Sequence, residues 1–308
     1  MEHGANRGTG QQLRDYLQMT KPSLSITVVF SSVVSYLLTP KVVEYDWLMI
    51  ALLFMGGFLV TGSANAINQT VEKDTDALMK RTASRPVAAG RLSQAEGWAF
   101  SIIAGVIGVF ILSYFFNVLS GALAAFSLFL YAFVYTPLKK VNAIAVLIGA
   151  FPGALPCLIG WAAGNDAIFP DGGGAADWGG WVLFLIQFFW QFPHFWAIAW
   201  VAHSDYAKAG FRLLPAEKGP TKFTAMQTVI YAVLLLSVCL LPYLIALSEY
   251  ESVKGMVSLV IVLLSNLFLI VQCLRLYKEM NAQAAKRVMF SSYIYLPVVL
   301  LALLASKA

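Results

Sequence analysis

Asn68, Glu72 and Asp76 recur at intervals of four, with Asp74 between them, in a chain that has only 16 acidic residues. On a helix that continues this far, the spacing sets all three side chains along one face, with about 6 Å of rise per step. Carboxylates gathered in this way repel one another, and leaving them together without a cation is costly. Hard oxygen ligands on one face suit Mg²⁺, which takes one or two carboxylates and completes its shell with water and substrate phosphates. Lys73 lies within the row, and Lys80, Arg81 and Arg85 follow it directly. They bring the charge, and the arginines the fork geometry, that phosphates need. The plainer alternative is a solvated mixed-charge loop at a helix end.

A second stretch carries polar groups deep in an apolar run. Gln187, Gln191 and His194 precede His203, Asp205 and Tyr206. His194 and Asp205 are 11 residues apart, almost a whole number of turns, so they share a face if the helix between them is unbroken. An ionisable residue facing lipid is expensive, which makes function the default reading of such a histidine. The alternative is a structural hydrogen-bonder. The two glutamines suggest that this side lines a cavity, and Pro193 frees a carbonyl there. A third stretch, Tyr135-Thr-Pro-Leu-Lys139-Lys140, offers lysines to a phosphate, or else two anchors that snorkel to the interface. Residues 149–156, Gly-Ala-Phe-Pro-Gly-Ala-Leu-Pro, lack the Lys-Ser/Thr ending of a phosphate loop and read as a kinked, closely packed membrane helix.

The elements that must hold these groups follow from composition. Of 308 residues, 59% are hydrophobic and 12% charged, against about 25% charged in soluble domains. Apolar runs long enough to cross a bilayer core of about 30 Å cover roughly 23–40, 47–70, 97–116, 119–137, 143–163, 178–201, 224–247, 255–276 and 288–305. The chain is therefore expected to be all-α, a polytopic membrane protein of about nine transmembrane helices. Its chemistry should gather on the cytoplasmic side, in a central cleft open to that side. No cleavable signal peptide is expected. Of the 21 Lys and Arg residues, all but Lys41, Lys254 and Lys307 fall on one side of this topology. That asymmetry places the N-terminus in the cytoplasm. Residues 1–22 then form a cytoplasmic tail and 23–305 a single transmembrane domain. Cys157, Cys239 and Cys273 lie far apart in apolar runs and read as buried thiols, without a metal or disulfide framework. The net charge of +5 matters less here than its distribution, and no nucleic-acid partner is expected.

The run Asn68-Gln-Thr-Val-Glu72-Lys-Asp-Thr-Asp76, continued to Arg85-Pro86, resembles the first aspartate-rich motif of the UbiA superfamily of intramembrane prenyltransferases. Met19-Thr-Lys-Pro22, Tyr135 to Lys139, Gly149 to Pro156, Pro193-His-Phe-Trp196 and Asp205-Tyr206…Leu214-Pro215 extend the likeness over residues 13 to 220. The last two stretches are similar to the branch that farnesylates heme. Glu72 stands where the pattern usually has an Asp, His194 where it has another acid, and Arg212 and Cys157 where it has prolines. The resemblance implies Mg²⁺ held by Asn68, Glu72 and Asp76, with Asp205 as the acid left of the second motif. It implies farnesyl diphosphate and heme b as substrates, with Arg85 and Lys139 as charge partners of the diphosphate and Lys73, Arg81, Tyr135, Lys140, Trp196 and Tyr206 as further substrate contacts. His194 would meet the heme iron or a reacting group. A cell inner membrane location, membrane lipid, and contacts with heme A synthase or oxidase assembly factors follow from the same likeness. The rivals are a UbiA-type enzyme acting on an aromatic acid or chlorophyll precursor, and a membrane transporter. Ionisable residues at one face, away from the midplane, and the lack of an obvious inverted repeat speak against the transporter.

Overall fold

A computed structural model of the chain describes residues 9–170, 175–216, 219–247 and 251–307. Arg7 and Lys218, counted above among the basic residues, lie outside them, as do the first part of the tail and 171–174 of the loop before the sixth run. Regular structure among the described residues is helical: α1 Thr9–Met19, α2 Pro22–Leu38, α3 Trp47–Val71, α4 Lys73–Leu78, α5 Gln94–Phe115, α6 Val118–Phe129, α7 Thr136–Leu138, α8 Ala145–Asn165, α9 Gly179–Val201, α10 His203–Lys208, α11 Lys222–Cys239, α12 Leu241–Leu244, α13 Val253–Glu279 and α14 Ala282–Ala305. A π-helical turn at Leu130–Tyr135 joins α6 to α7, and a short 3₁₀ turn at Ala175–Trp178 precedes α9.

Helices are what these sequences must form in lipid, because no water is present to satisfy an open backbone. Among the described residues, eight helices are long and apolar enough to cross a membrane, and the α1–α2 pair, bent by 49°, makes nine when taken as one span. Chain entry is signalled by polar caps. Asp46 accepts from the Leu48 and Met49 amides, Ser93 and Glu96 form a capping box, and Asn117, Ser252 and Asn281 cap α6, α13 and α14. The short helix α1 is amphipathic. Leu13 and Leu17 are exposed on it, while Asp15 is buried against Arg91 at 2.9 Å. That is the pattern of a helix lying in the interface plane.

The spans close into a ring. In order, α2, α3, α5, α6, α8, α9, α11, α13 and α14 each touch the next, and α14 returns to α2. α8 and α9 are 72% buried over their most apolar stretch, against 22–33% for α3, α5, α6, α11 and α13, so they form the middle of the bundle and the others face lipid. Without a hydrophobic drive between helices in lipid, small residues set the close approaches. A Cβ on Gly108 of α5 would stand 2.8 Å from the Gly56 carbonyl oxygen of α3, and one on Gly160 of α8 would run into the Ser32 carbonyl of α2. The three cysteines are free and buried, as expected. At the far end, the Lys307 ammonium donates to the carbonyls of Leu37, Thr39 and Val42 at 2.7, 2.8 and 2.6 Å, fastening the end of the last span to the end of the first.

Candidate active site

The ring encloses a cavity of about 740 Å³ whose wall draws on α2, α3, α4, α5, α6, the π-helix, α8, α9, α10 and α14. Its volume is in the range of small-molecule and cofactor sites. Charged groups line one end, and apolar side chains dominate the rest, with Gln187, Gln191 and His194 set among them. The charged end holds Lys21, Glu72, Asp76, Arg81, Arg85 and Lys139.

The acidic row is positioned by a helix that bends without losing register. α3 ends at Val71, and Glu72 has φ −90° and ψ 16°. Even so, the Glu72 amide donates to the Asn68 carbonyl at 2.9 Å and the Asp76 amide to the Glu72 carbonyl at 2.7 Å. Thus Asn68, Glu72 and Asp76 stay in step across the break and all three line the cavity. Each carboxylate is matched by a cation from elsewhere. Arg85 Nη1 donates to both Asp76 oxygens at 2.7 and 2.6 Å, and Lys139 Nζ lies 2.5 Å from Glu72 Oε1. Asp76 is fully buried. Burial pushes its carboxyl above the usual carboxylate range, with Arg85 opposing. Burial likewise lowers the Lys139 ammonium, opposed by Glu72. The amide nitrogen of Asn68 is buried with no hydrogen-bond partner. A buried donor without a partner is rare, and this one suits an acceptor oxygen such as a phosphate's.

Lys139 reaches this cluster through the π-helix, a bulge that is frequent at functional sites. Thr136 Oγ1 closes onto the Tyr131 carbonyl at 2.8 Å, and both Tyr131 and Tyr135 line the cavity. The Arg212 amide donates to the Lys139 carbonyl at 2.8 Å, tying the loop after α10 to the loop after α7. Arg81 Nη2 donates to the Tyr206 hydroxyl at 3.2 Å, and Met79 packs with Ala209 and Phe211. Three loops thereby meet over the mouth.

The opposite wall is polar as the glutamines suggested. Gln187 Nε2 donates to the Gly153 carbonyl at 2.7 Å and Gln191 Nε2 to the Ala150 carbonyl at 3.0 Å. A Cβ on Gly153 would displace the Gln191 amide from its place against α8. α8 runs unbroken through Pro152 and Pro156. The freed Pro152 carbonyl accepts from Ser127 at 3.2 Å. His194 is buried, lines the cavity, and contacts Ser292 of α14 through Nδ1 at 2.8 Å.

Asp205 stands apart from this arrangement. The helix carrying His194 ends at Val201, and Ala202 at φ −94°, ψ 12° starts the separate helix α10. The unbroken helix on which His194 and Asp205 were to share a face is therefore absent, and Asp205 is not among the cavity-lining residues. It sits 4.0 Å from Lys208, while its neighbour Tyr206 takes the inward position. Lys73 and Lys140 also lie off the cavity wall, Lys140 exposed. Trp196 is buried against Phe192 and Tyr231, away from the cavity. The sequence reading counted Lys21 as a tail charge and as part of the Met19–Pro22 stretch of the family likeness, without assigning it to the site, yet it lines the cavity. Its backbone is left-handed at φ 48°, and among the described residues no hydrogen bond or ion pair holds its ammonium. Burial, with Arg85 and Lys139 adding to it, lowers that ammonium to about 7. Pro22 starts α2, but a following proline favours extended backbone, so it gave no sign of the left-handed bend at residue 21.

The UbiA prenyltransferase family model matches residues 28–294. A protoheme IX farnesyltransferase of Cytophaga hutchinsonii is 43% identical over 96% of this chain and 98% of that protein. One of Flavobacterium johnsoniae is 39% identical over 95% of this chain and 94% of that protein. Among solved structures, digeranylgeranylglyceryl phosphate synthase superposes with a TM-score of 0.75 at 22% identity, covering 96% and 98% of the two chains. A UbiA homolog from Archaeoglobus fulgidus, bound to GPP and Mg²⁺, gives 0.68 at 15% identity, covering 94% and 99%. The chain belongs to the UbiA prenyltransferase family. It is a multi-span membrane enzyme, and the transporter reading is set aside.

Proposed function

We propose that this prenyltransferase moves the farnesyl group of farnesyl diphosphate onto a vinyl group of heme b, giving heme O. The observation that carries the reading is a cavity with phosphate chemistry at one end, apolar walls beyond, and a histidine in the wall. Protoheme IX farnesyltransferases similar over nearly the whole chain support the same choice of substrates.

The diphosphate belongs at the charged end. Asn68, Glu72 and Asp76 would hold Mg²⁺ there through their side-chain oxygens, the hard donors that suit such an ion, while the unpartnered Asn68 NH₂ would donate to a diphosphate oxygen. That ion would supply Lewis-acid stabilisation to the leaving diphosphate. Arg85, Lys139, Lys21 and Arg81 meet its remaining oxygens. Charge builds on the diphosphate as the allylic C–O bond breaks, so cations set in place beforehand stabilise the transition state. The C–O electron pair leaves with the diphosphate. The vinyl π pair then bonds to the farnesyl C1, and water adds to the carbon next to the porphyrin, releasing one proton. Apolar side chains such as Val29, Val60, Leu112 and Leu128 line the cavity where the farnesyl tail lies, and they exclude water from the allylic cation. His194 faces the heme. Asp205, Lys73, Lys140 and Trp196 have no part in this reading. The N-terminus is cytoplasmic and the membrane is the inner one, with heme A synthase and oxidase assembly factors as partners for the product.

The test is direct: incubate the purified protein with heme b, farnesyl diphosphate and Mg²⁺ and look for hydroxyethylfarnesyl heme by mass spectrometry. Unchanged heme in a folded, diphosphate-binding protein overturns the assignment.

A further inference from the structure

We infer that Ser292 is a positioning residue that fixes the protonation of the His194 ring and turns its Nε2 lone pair toward the iron of bound heme. The inference rests on the heme substrate proposed above and adds the way in which that heme is held.

Proton counting carries it. Ser292 Oγ is 2.7 Å from the Met289 carbonyl oxygen and 2.8 Å from His194 Nδ1. A carbonyl only accepts, and a hydroxyl has one proton to give. That proton goes to Met289, so the contact with His194 is a hydrogen bond only if Nδ1 carries the hydrogen. In the neutral ring, Nε2 is then the bare nitrogen. It has no hydrogen-bond partner among the described residues, and His194 lines the cavity.

The ring's orientation is fixed by the same residue. Trp190 stacks on His194 with centroids 4.7 Å apart and planes 18° apart. The Trp190 indole nitrogen donates to the Ser292 carbonyl at 2.8 Å. Ser292 therefore anchors the imidazole with its hydroxyl and the indole behind it with its backbone. Tyr293 stands at 80° to the imidazole with centroids 4.8 Å apart. Trp190, Phe195 and Tyr293 line the cavity beside His194, giving flat apolar surfaces suited to a porphyrin. A histidine whose far nitrogen donates to a fixed acceptor, leaving the near one bare, is the arrangement by which proteins ligate metals, heme iron included. The donated hydrogen bond also raises the basicity of the ligating nitrogen.

The experiment titrates ferric heme b into the purified full-length protein and reads the visible and EPR spectra. Wild type is expected to give the signature of imidazole-ligated iron. His194→Ala should lose it and recover it with added imidazole. Ser292→Ala should keep the fold, judged by thermal unfolding, and weaken heme binding about 10–100-fold, with an altered spectrum and an unchanged KM for farnesyl diphosphate. Ser292→Thr, which keeps the hydroxyl, should restore both. A Ser292→Ala protein with the wild-type spectrum and heme affinity overturns the role of Ser292. Retention of the imidazole signature in His194→Ala overturns iron ligation. A wild-type protein that neither binds nor farnesylates heme brings down the proposed function itself, a result distinct from either.

Discussion

Asp76 and Arg85 show how much of the site is decided by single side chains. The carboxylate has no water of its own, and both its oxygens depend on one guanidinium nitrogen. Removing one member of such a buried pair strands the other, at a cost of roughly 3–5 kcal/mol. Arg85→Ala is therefore expected to lower the thermal unfolding temperature in detergent as well as turnover. Asp76→Asn keeps the shape and removes the charge, and it should cut heme O formation about 10²-fold or more at saturating Mg²⁺. Undiminished turnover in Asp76→Asn would exclude a metal role for this residue. Lys21 makes a prediction in pH. Its ammonium sits at about 7, so in the free protein it is charged below that value and neutral above. Diphosphate affinity from this residue is present at low pH and lost as pH rises through about 7. The kcat/KM for farnesyl diphosphate, which reports the free enzyme, should fall across that window, and Lys21→Arg should flatten the profile because arginine stays charged. The acidic row and the basic residues after it were legible from their four-residue spacing. Lys21 was not, because its role depends on a bend that brings residue 21 against residues 72 to 139, and spacing along the chain carries no trace of that.

At the scale of elements, register explains what was read correctly and what was not. The row from Asn68 to Asp76 survives the end of α3 because two backbone bonds bridge the break. The corresponding break at Ala202 turns α10 aside and puts Tyr206, not Asp205, on the cavity wall. Nothing in the apolar run up to Val201 announces that break, and Pro193, which does interrupt the hydrogen bonding, leaves α9 continuous. The π-helix is likewise silent in the sequence, since its extra residue looks like any other apolar position. Deleting the exposed Phe133 should relax that turn to ordinary helix and rotate Lys139 away from Glu72. The expected result is a protein that expresses and folds yet has lost most of its turnover, measured by heme O yield per folded protein. Close backbone contact makes the opposite prediction for Gly160. Its added Cβ has no space against the Ser32 carbonyl, so Gly160→Ala should destabilise by about 1–3 kcal/mol. Thermal unfolding in detergent measures it, and an unchanged transition would show that α2 and α8 part easily.

For the molecule as a whole, hydropathy carried the number and order of the spans almost unaided, because lipid leaves helices as the only choice. Orientation is testable by labelling. Cys157, Cys239 and Cys273 are buried and should stay silent. Lys140→Cys should react with an impermeant thiol reagent only from the cytoplasmic side, and Lys254→Cys only from the opposite side. The reverse pattern would invert the protein in the membrane. The clasp formed by Lys307 has a temporal meaning. Spans enter the bilayer in order as the chain is synthesised, so the groups proposed to meet the diphosphate, between residues 21 and 139, precede those of α14. Ser292, Tyr293 and the lysine that fastens the ends arrive last. On the proposed reading, the seat for the second substrate is closed only once α14 has joined the bundle.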